Sequence, residues 1–365
     1  MKTDPIPVLV LFGPTASGKT GILQELFNSP KDISSIIQAE VISADSMQVY
    51  RGMNIGTAKP SAEERECLPH HLIDIRDPSQ QFNAGDFVRL ADEACLEITS
   101  RGKLPVVSGG TGFYLKNFIL GLSEAPPSCA DIRALLKQEL SDKGAAALMK
   151  ELETCDPVSA GRIHINDEYR LLRALEVYRS CGQPLSSFEI SGTEKRSDFR
   201  FIIIGLSRPR EELYSRINLR CAQMFKQGLP DEVQSLFNAG YTPNDPGLRA
   251  IGYREFFTED PDEPGKWRLS KDMDGVQALI AQNSRRYAKR QITFFAGIPE
   301  VKWVECEKEE NIVRGFSRIF AEEEFSQGRR EAENAGKNLG LREEKTQEEL
   351  SRRRRDAEGA EEKKG

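Results

Sequence analysis

Residues 8–20, VLVLFGPTASGKT, decide the reading of this chain. Val8 to Phe12 form an unbroken apolar run, the pattern of a strand buried on both faces. The next eight residues, Gly13-Pro14-Thr15-Ala16-Ser17-Gly18-Lys19-Thr20, satisfy G-x-x-x-x-G-K-[ST] at every fixed position. Ile22, Leu23, Leu26 and Phe27 then fall at helical spacing. Strand, glycine loop and helix are the context that the motif needs. Gly13 and Gly18 let the backbone curl, so that several N–H groups point into one hollow. The helix adds the positive end of its dipole. Lys19 brings a full charge to a phosphate, and the Thr20 hydroxyl can ligate Mg2+. The loop therefore binds a di- or triphosphate, without saying what becomes of it.

Outward from the loop, EVIS ends a second short strand just before Asp45 and Ser46. An acid at the carboxyl end of a strand stands where ligands bind in open α/β sheets. Asp45 can hold magnesium, act as a general base, or cap the next turn. Residues 47–60 lack periodicity, and Gly52, Gly56 and Pro60 suggest an ordered loop over the site. Lys59 within it either reaches a phosphate or faces solvent. His70 and His71 precede LIDI, a candidate strand at residues 72–75; adjacent residues of a strand face opposite ways, so the pair suits a structural role better than a metal. Residues 82–100 read as an amphipathic helix capped by Asn83. LPVVS at 104–108 is another buried strand, ending in Gly109-Gly110-Thr111-Gly112 and a helix. Thr111 can present a hydroxyl or N–H to the same ligand.

The character changes after residue 122. Pro126-Pro127 mark a boundary, and residues 132–140, 145–152 and 169–180 are helical runs with no strong strand between them. Arg170 and Arg173 share a helix face, either meeting a phosphate backbone or pairing with Asp167 and Glu176. FRFIIIGL at 199–206 returns the chain to the sheet. Helices follow over 208–228, 231–239 and 276–295. The last carries Arg285, Arg286, Lys289 and Arg290 with no acid between residues 282 and 297. A basic stripe with interleaved Tyr253, Tyr287, Phe294 and Phe295 suits RNA, although the two phenylalanines read better as core. The expected fold is α/β: a P-loop NTPase-like parallel sheet over residues 1–122 and 199–320, a helical insertion over 123–198, and a charged tail over 321–365.

Composition sets limits. The 365 residues carry a net charge of −6, with 30% charged and 38% hydrophobic residues. Bulk charge gives no support to nucleic-acid binding, leaving that to local basic faces. The seven cysteines are scattered without a C-x-x-C pair, which points to free thiols rather than zinc. No stretch approaches the roughly 20 apolar residues of a membrane span, so a cytoplasmic protein without a membrane partner is expected. The tail mixes acids with bases, Arg352 to Arg355 included, and cannot fold alone.

Seven motifs occur in order: GPTASGKT from Gly13, DSMQVYRGMNIGTAKP from Asp45, HHLIDIRDPSQ from His70, GGTGFYLK from Gly109, NDEYRLLRALEVY from Asn166, RAIGYREF from Arg249 and KRQITFF from Lys289. Together they resemble the tRNA dimethylallyltransferase (isopentenyl-diphosphate:tRNA transferase) family, in its bacterial form, since a C-terminal cysteine–histidine finger is missing. The resemblance implies transfer of a dimethylallyl group from dimethylallyl diphosphate to the N6 amine of the adenosine 3′ of the anticodon, in tRNAs reading codons that begin with U. It implies that Gly13 to Thr20 hold the diphosphate with Mg2+ at Thr20, and that Lys19, the general base Asp45 and its partner Thr111 are catalytic. It places the tRNA anticodon stem-loop on Asp45, Ser46, Met47, Gln48, Arg133, Tyr169, Arg170, Leu171, Leu172, Arg173, Arg249, Gly252, Tyr253, Arg254 and Arg290. The enzyme is expected to act as a monomer. Three other readings compete: a P-loop small-molecule kinase, an adenylate isopentenyltransferase, and an RNA-binding protein that uses its P-loop as a nucleotide switch. Relatives vary where this chain has Gly112 and Phe113, so the channel lining differs here.

Overall fold

The computed structural model describes residues 5–28, 38–188 and 196–306. The expected tail over 321–365 lies outside them. Strand β1 (Ile6–Phe12) is fully buried from Val8 onward. Its apolar run makes it central, because only an inner strand has both faces covered. It pairs in parallel with β4 (Leu104–Gly109) on one side and β5 (Phe199–Ser207) on the other, setting Val10 between Val107 and Ile203. β2 (Ala39–Ser43) continues the sheet beyond β4, and the order is β3-β2-β4-β1-β5-β8, with β3 at His70–His71 and β8 at Lys302–Glu305. All four registered pairings are parallel, so the carboxyl ends of β1, β2 and β4 lie side by side. Ligands collect at that edge in open α/β sheets.

Close approach fixes the turns there. A Cβ on Gly109 would lie 2.1 Å from the carbonyl oxygen of Ala44, so only glycine lets the turn after β4 pass the turn after β2. Helices α1 (Lys19–Asn28), α2 (Ala62–Cys67), α3 (Ala84–Ser100) and α4 (Gly112–Leu120) follow β1, β2, β3 and β4 in turn. α3 starts where expected: Asn83 and Asp86 form a reciprocal capping box, and its buried Phe87, Ala91, Ala94, Cys95 and Ile98 face the sheet.

The strand expected at residues 72–75 is displaced. Pairing with Val41 and Ile42 falls on His70 and His71. Leu72 and Asp74 take φ of 62° and 57°, which a strand cannot use. The histidines are structural, as their adjacency implied. His70 Nδ1 donates to the Leu68 carbonyl at 2.6 Å, and His71 Nε2 to Glu40 at 2.7 Å.

Helices α5 (Ala130–Lys143), α6 (Ala145–Cys155), α7 (Pro157–Ala160) and α8 (Glu168–Cys181) build a layer with its own apolar cluster, centred on Leu136, Leu148, Leu152, Leu171, Leu172 and Leu175. After β5 come α9 (Arg210–Lys226), α10 (Leu229–Asn238), a hairpin of β6 (Phe257–Glu259) and β7 (Trp267–Leu269), and the long α11 (Met273–Phe295). Contacts group residues 1–303 into one compact unit. Of the two phenylalanines near the end of α11, Phe295 is fully buried with its ring centroid 4.6 Å from that of Phe12, whereas Phe294 is partly exposed against Gly112.

Candidate active site

The glycine loop, the Asp45 turn and the Gly109 turn surround a cavity of about 1050 Å³. Thr15, Ala16, Gly18, Lys19 and Thr20 line it together with Asp45, Gln48, Gly110 and the long side chains of Arg216, Arg220, Tyr287 and Gln291. A second cavity of about 310 Å³ is lined by Ser46, Met47, Arg249, Gly252, Arg254 and Arg290 among others. Thr15, Asp45, Thr57, Arg220 and Tyr287 border both, so the two meet at Asp45.

Side chains from distant parts of the sequence order the loop. Arg208 Nε donates to the Ser17 carbonyl at 2.8 Å and Arg216 Nε to that of Ala16 at 2.9 Å. Gln291 Oε1 accepts from the Thr15 N–H at 2.8 Å, and its Nε2 donates to the Gly110 carbonyl at 2.7 Å, tying the two glycine turns together. The arginines take the carbonyls of Ala16 and Ser17 and so hold the loop in a shape suited to an anion. Gly13, Pro14 and Ser17 stand behind the lining: the first two give their carbonyls to Lys19 Nζ at 2.9 and 3.1 Å, and Ser17 Oγ is buried with no partner among the described residues. Burial pulls the Lys19 ammonium down to about 8, with Arg220's charge adding to the effect and Asp45's opposing it. Burial likewise lowers Arg220, against the pull of Asp45. Two cations partly withdrawn from water at one cavity wall make a strong binding site for a polyanion.

Asp45 does cap its turn: Oδ1 accepts from the N–H groups of Met47 at 2.9 Å and Gln48 at 3.3 Å. Oδ2 has no hydrogen-bond partner among the described residues. Capping thus fixes the carboxyl group without consuming it. Thr111 borders neither cavity. Its Oγ1 accepts from the Ser46 N–H at 3.0 Å and its own N–H donates to the Ala44 carbonyl at 3.1 Å, so it steadies the turn that carries Asp45. Tyr287 stands at the junction and donates weakly to the Gly110 carbonyl at 3.4 Å; burial and the Asp45 charge push its hydroxyl up to about 12.

No group of three or more His, Cys, Asp or Glu residues suited to a metal occurs among the described residues. Thr20 and Asp45 both face the wide cavity, however. One hydroxyl and one carboxylate, with the remaining positions filled by phosphate oxygens and water, are what Mg2+ takes from proteins.

Several expected nucleic-acid contacts are placed otherwise. Leu171 and Leu172 are core residues of the helical layer, and Tyr253 is completely buried, so none of these side chains reaches a surface. Leu171 and Leu172 fill a helix face that packing claims first, and Tyr253 fills a turn packed against Gly56. Arg173 and Arg133 both donate to buried Glu176 at 3.0 Å, and the Arg133 guanidinium lies 5.1 Å over the exposed Tyr169 ring. Arg170 pairs with Asp167 at 3.2 Å but stays largely exposed. Lys59 lines the wide cavity rather than facing solvent, but its ammonium is engaged by Asp74, Asn54 and the Tyr50 carbonyl. Sequence reasoning gives no site role to Arg208, Arg216 and Arg220, and reads Tyr287 and Gln291 only as parts of a basic segment suited to RNA. The available signal was the four-residue spacing of Arg216 and Arg220, and of Tyr287 and Gln291, which puts each pair on one helix face.

The comparisons agree with this geometry. Residues 48–297 match the family model described as IPP transferase. A tRNA dimethylallyltransferase from Geobacter sulfurreducens is 43% identical over 82% of this chain and 91% of its own. The tRNA dimethylallyltransferase 1 of Pelobacter propionicus is 40% identical over 86% and 97%. Among solved structures, the full-length tRNA isopentenylpyrophosphate transferase of Bacillus halodurans superposes with a TM-score of 0.58 at 34% identity, covering 88% of this chain and 99% of that one. A eukaryotic dimethylallyltransferase acting on tRNA gives 0.64 at 26% identity, covering 82% and 73%. By sequence and by fold, this chain belongs to the IPP transferase family.

Proposed function

We propose that the chain is a tRNA dimethylallyltransferase, moving a dimethylallyl group from its diphosphate to the N6 amine of the adenosine 3′ of the anticodon in tRNAs that read codons beginning with U. The observation that carries this reading is the meeting of two cavities at one carboxylate: the phosphate-binding cavity and the smaller basic one share Asp45. A small-molecule kinase would also seat an acceptor beside its phosphate loop, but Arg249, Arg254 and Arg290 around the second cavity suit an acceptor that carries a phosphate backbone.

The inward amides of the loop, Lys19 and Arg220 hold the diphosphate and stabilise the charge that gathers on it as the allylic C–O bond breaks. Thr20, with Asp45 nearby, would hold Mg2+, which would supply further charge stabilisation to the diphosphate. An adenine amine is a poor nucleophile because its lone pair is delocalised into the ring. Asp45 Oδ2 accepts the amine proton as the C–N bond forms, while Met47 and Gln48 keep the carboxyl oriented through Oδ1. The base must leave the anticodon stack to reach Asp45, and Arg249, Arg254 and Arg290 around the smaller cavity suit the flanking phosphates. No described helix is long and apolar enough to cross a membrane. We place the enzyme in the cytoplasm with its tRNA, acting as a monomer.

The test is a transfer assay with purified protein, magnesium and labelled dimethylallyl diphosphate, offering either an anticodon stem-loop with adenosine 3′ of the anticodon or free AMP. Label in the stem-loop is the expected result. Label in AMP alone indicates an adenylate isopentenyltransferase. ATP turnover without prenyl transfer indicates a kinase or a nucleotide switch.

A further inference from the structure

We propose that Glu232, on α10, is a positioning residue for this reaction, holding residues 54–57 as the common wall of the two cavities. The role presupposes the transferase activity proposed above. Glu232 touches neither substrate cavity. Its carboxylate instead accepts from three consecutive backbone N–H groups far away in sequence. Oε2 takes those of Asn54 and Ile55, each at 2.9 Å, and Oε1 takes that of Gly56 at 3.2 Å. Oε1 also accepts from the Tyr253 hydroxyl at 2.7 Å. Three successive amides converging on one point form an anion-binding nest, here filled by a side chain of the protein itself.

That segment matters because of where it lies. Asn54 and Ile55 line the wide cavity, Gly56 lines the small one, and Thr57 lines both. Its outer face is closed by Tyr253, whose ring would stand 2.5 Å from a Cβ on Gly56. Its far end is tied down as well: Gln48 Nε2 donates to the Ala58 carbonyl at 3.3 Å, and Gln48 Oε1 accepts from the Ser43 hydroxyl at 2.9 Å. Ser43 ends the strand that leads to Asp45. The wall is therefore pinned at one end to the element carrying the base and at the other to α10. With the carboxylate gone, three amides turn to water and the wall loses its fixed distance from Asp45. Lys19 and Asp45 themselves are not on this wall. The loss then shows in the binding of both substrates more than in turnover once they are bound.

The experiment compares the full-length wild type with Glu232→Gln and Tyr253→Phe. Each is assayed for steady-state transfer from dimethylallyl diphosphate to the stem-loop, and titrated calorimetrically with inorganic diphosphate. In Glu232→Gln, the KM for both substrates is expected to rise about fivefold or more, with kcat within about twofold of wild type and weaker diphosphate binding. Tyr253→Phe keeps the ring and removes one donor, so it shifts the same constants in the same direction by less; it carries the test if Glu232→Gln does not fold. Unchanged KM values, or a fall confined to kcat as expected from a smaller folded fraction, overturn the proposal. A wild type that transfers nothing defeats the proposed function instead. The diphosphate titration then judges the wall alone, and equal affinity in Glu232→Gln overturns it.

Discussion

Replacing Glu176 by alanine removes the buried carboxylate that holds Arg133 and Arg173 of the helical layer. Glu176 is fully buried. Its Oε1 accepts from the Ser128 hydroxyl at 2.6 Å and the Cys129 N–H at 2.8 Å, and its Oε2 from Arg133 and Arg173, each at 3.0 Å. Burial works against its ionised form, but those donors prevail and hold the carboxyl below its ordinary range. Alanine leaves two guanidinium groups without their counterion. Removing one partner of a buried pair costs roughly 3–5 kcal/mol. The two arginine side chains retain 19% and 24% exposure, so water relieves part of the loss and the low end, about 3 kcal/mol, applies. At roughly 1.5–2 °C per kcal/mol for a chain this long, the melting temperature falls by about 5 °C. Urea denaturation at pH 7 gives the free energy directly, and filter binding of the stem-loop gives the functional effect. Affinity for the stem-loop is expected to fall with the reorientation of Arg133 and Arg173, while affinity for diphosphate stays at the wild-type level. A loss of stability under about 1 kcal/mol, with unaltered stem-loop binding, refutes the idea that Glu176 organises these arginines.

Asp45→Ala is expected to lower kcat by at least about a hundredfold through loss of the base while leaving stem-loop affinity nearly unchanged; turnover at the wild-type rate excludes Asp45 as the base. Gln291→Ala strands the Thr15 N–H and the Gly110 carbonyl, so diphosphate binding is expected to weaken by roughly tenfold, read by calorimetry. Glu40 is held down to about 2 against the cost of burial by Lys103, His71 and Arg101. A lowered folded-state value means stability that is present above the unfolded value near 4.5 and drains away as pH falls toward 2. Denaturation curves from pH 6 to 3 are therefore expected to show a decline of about 2 kcal/mol from this group, which Glu40→Gln abolishes.

The parts of the site legible from sequence are those built by local chain geometry. The loop of residues 13–20, Asp45 after β2 and Thr111 after β4 follow from the rule that strand ends collect at one edge of a parallel sheet. What escaped was contributed by side chains reaching in from helices far along the chain. Arg220, Tyr287 and Gln291 look like members of solvated basic stripes until packing turns α9 and α11 toward the loop. Lys59 escaped for the same reason, since its acidic partner Asp74 arrives through two left-handed residues that no hydropathy pattern encodes. Leu171, Leu172 and Tyr253 were assigned to the tRNA surface because whole motifs were carried over from the family. The apolar periodicity of residues 171–175 already pointed those leucines inward.

The apolar cluster of α5, α6 and α8 shares no residue with the larger one around the sheet. Substitutions in separate clusters add their costs nearly independently. Amide hydrogen exchange is then expected to show the helical layer opening without β1 and its neighbours. A lineage of such proteins can retune its grip on RNA, layer by layer, without reopening the question of how the diphosphate is held.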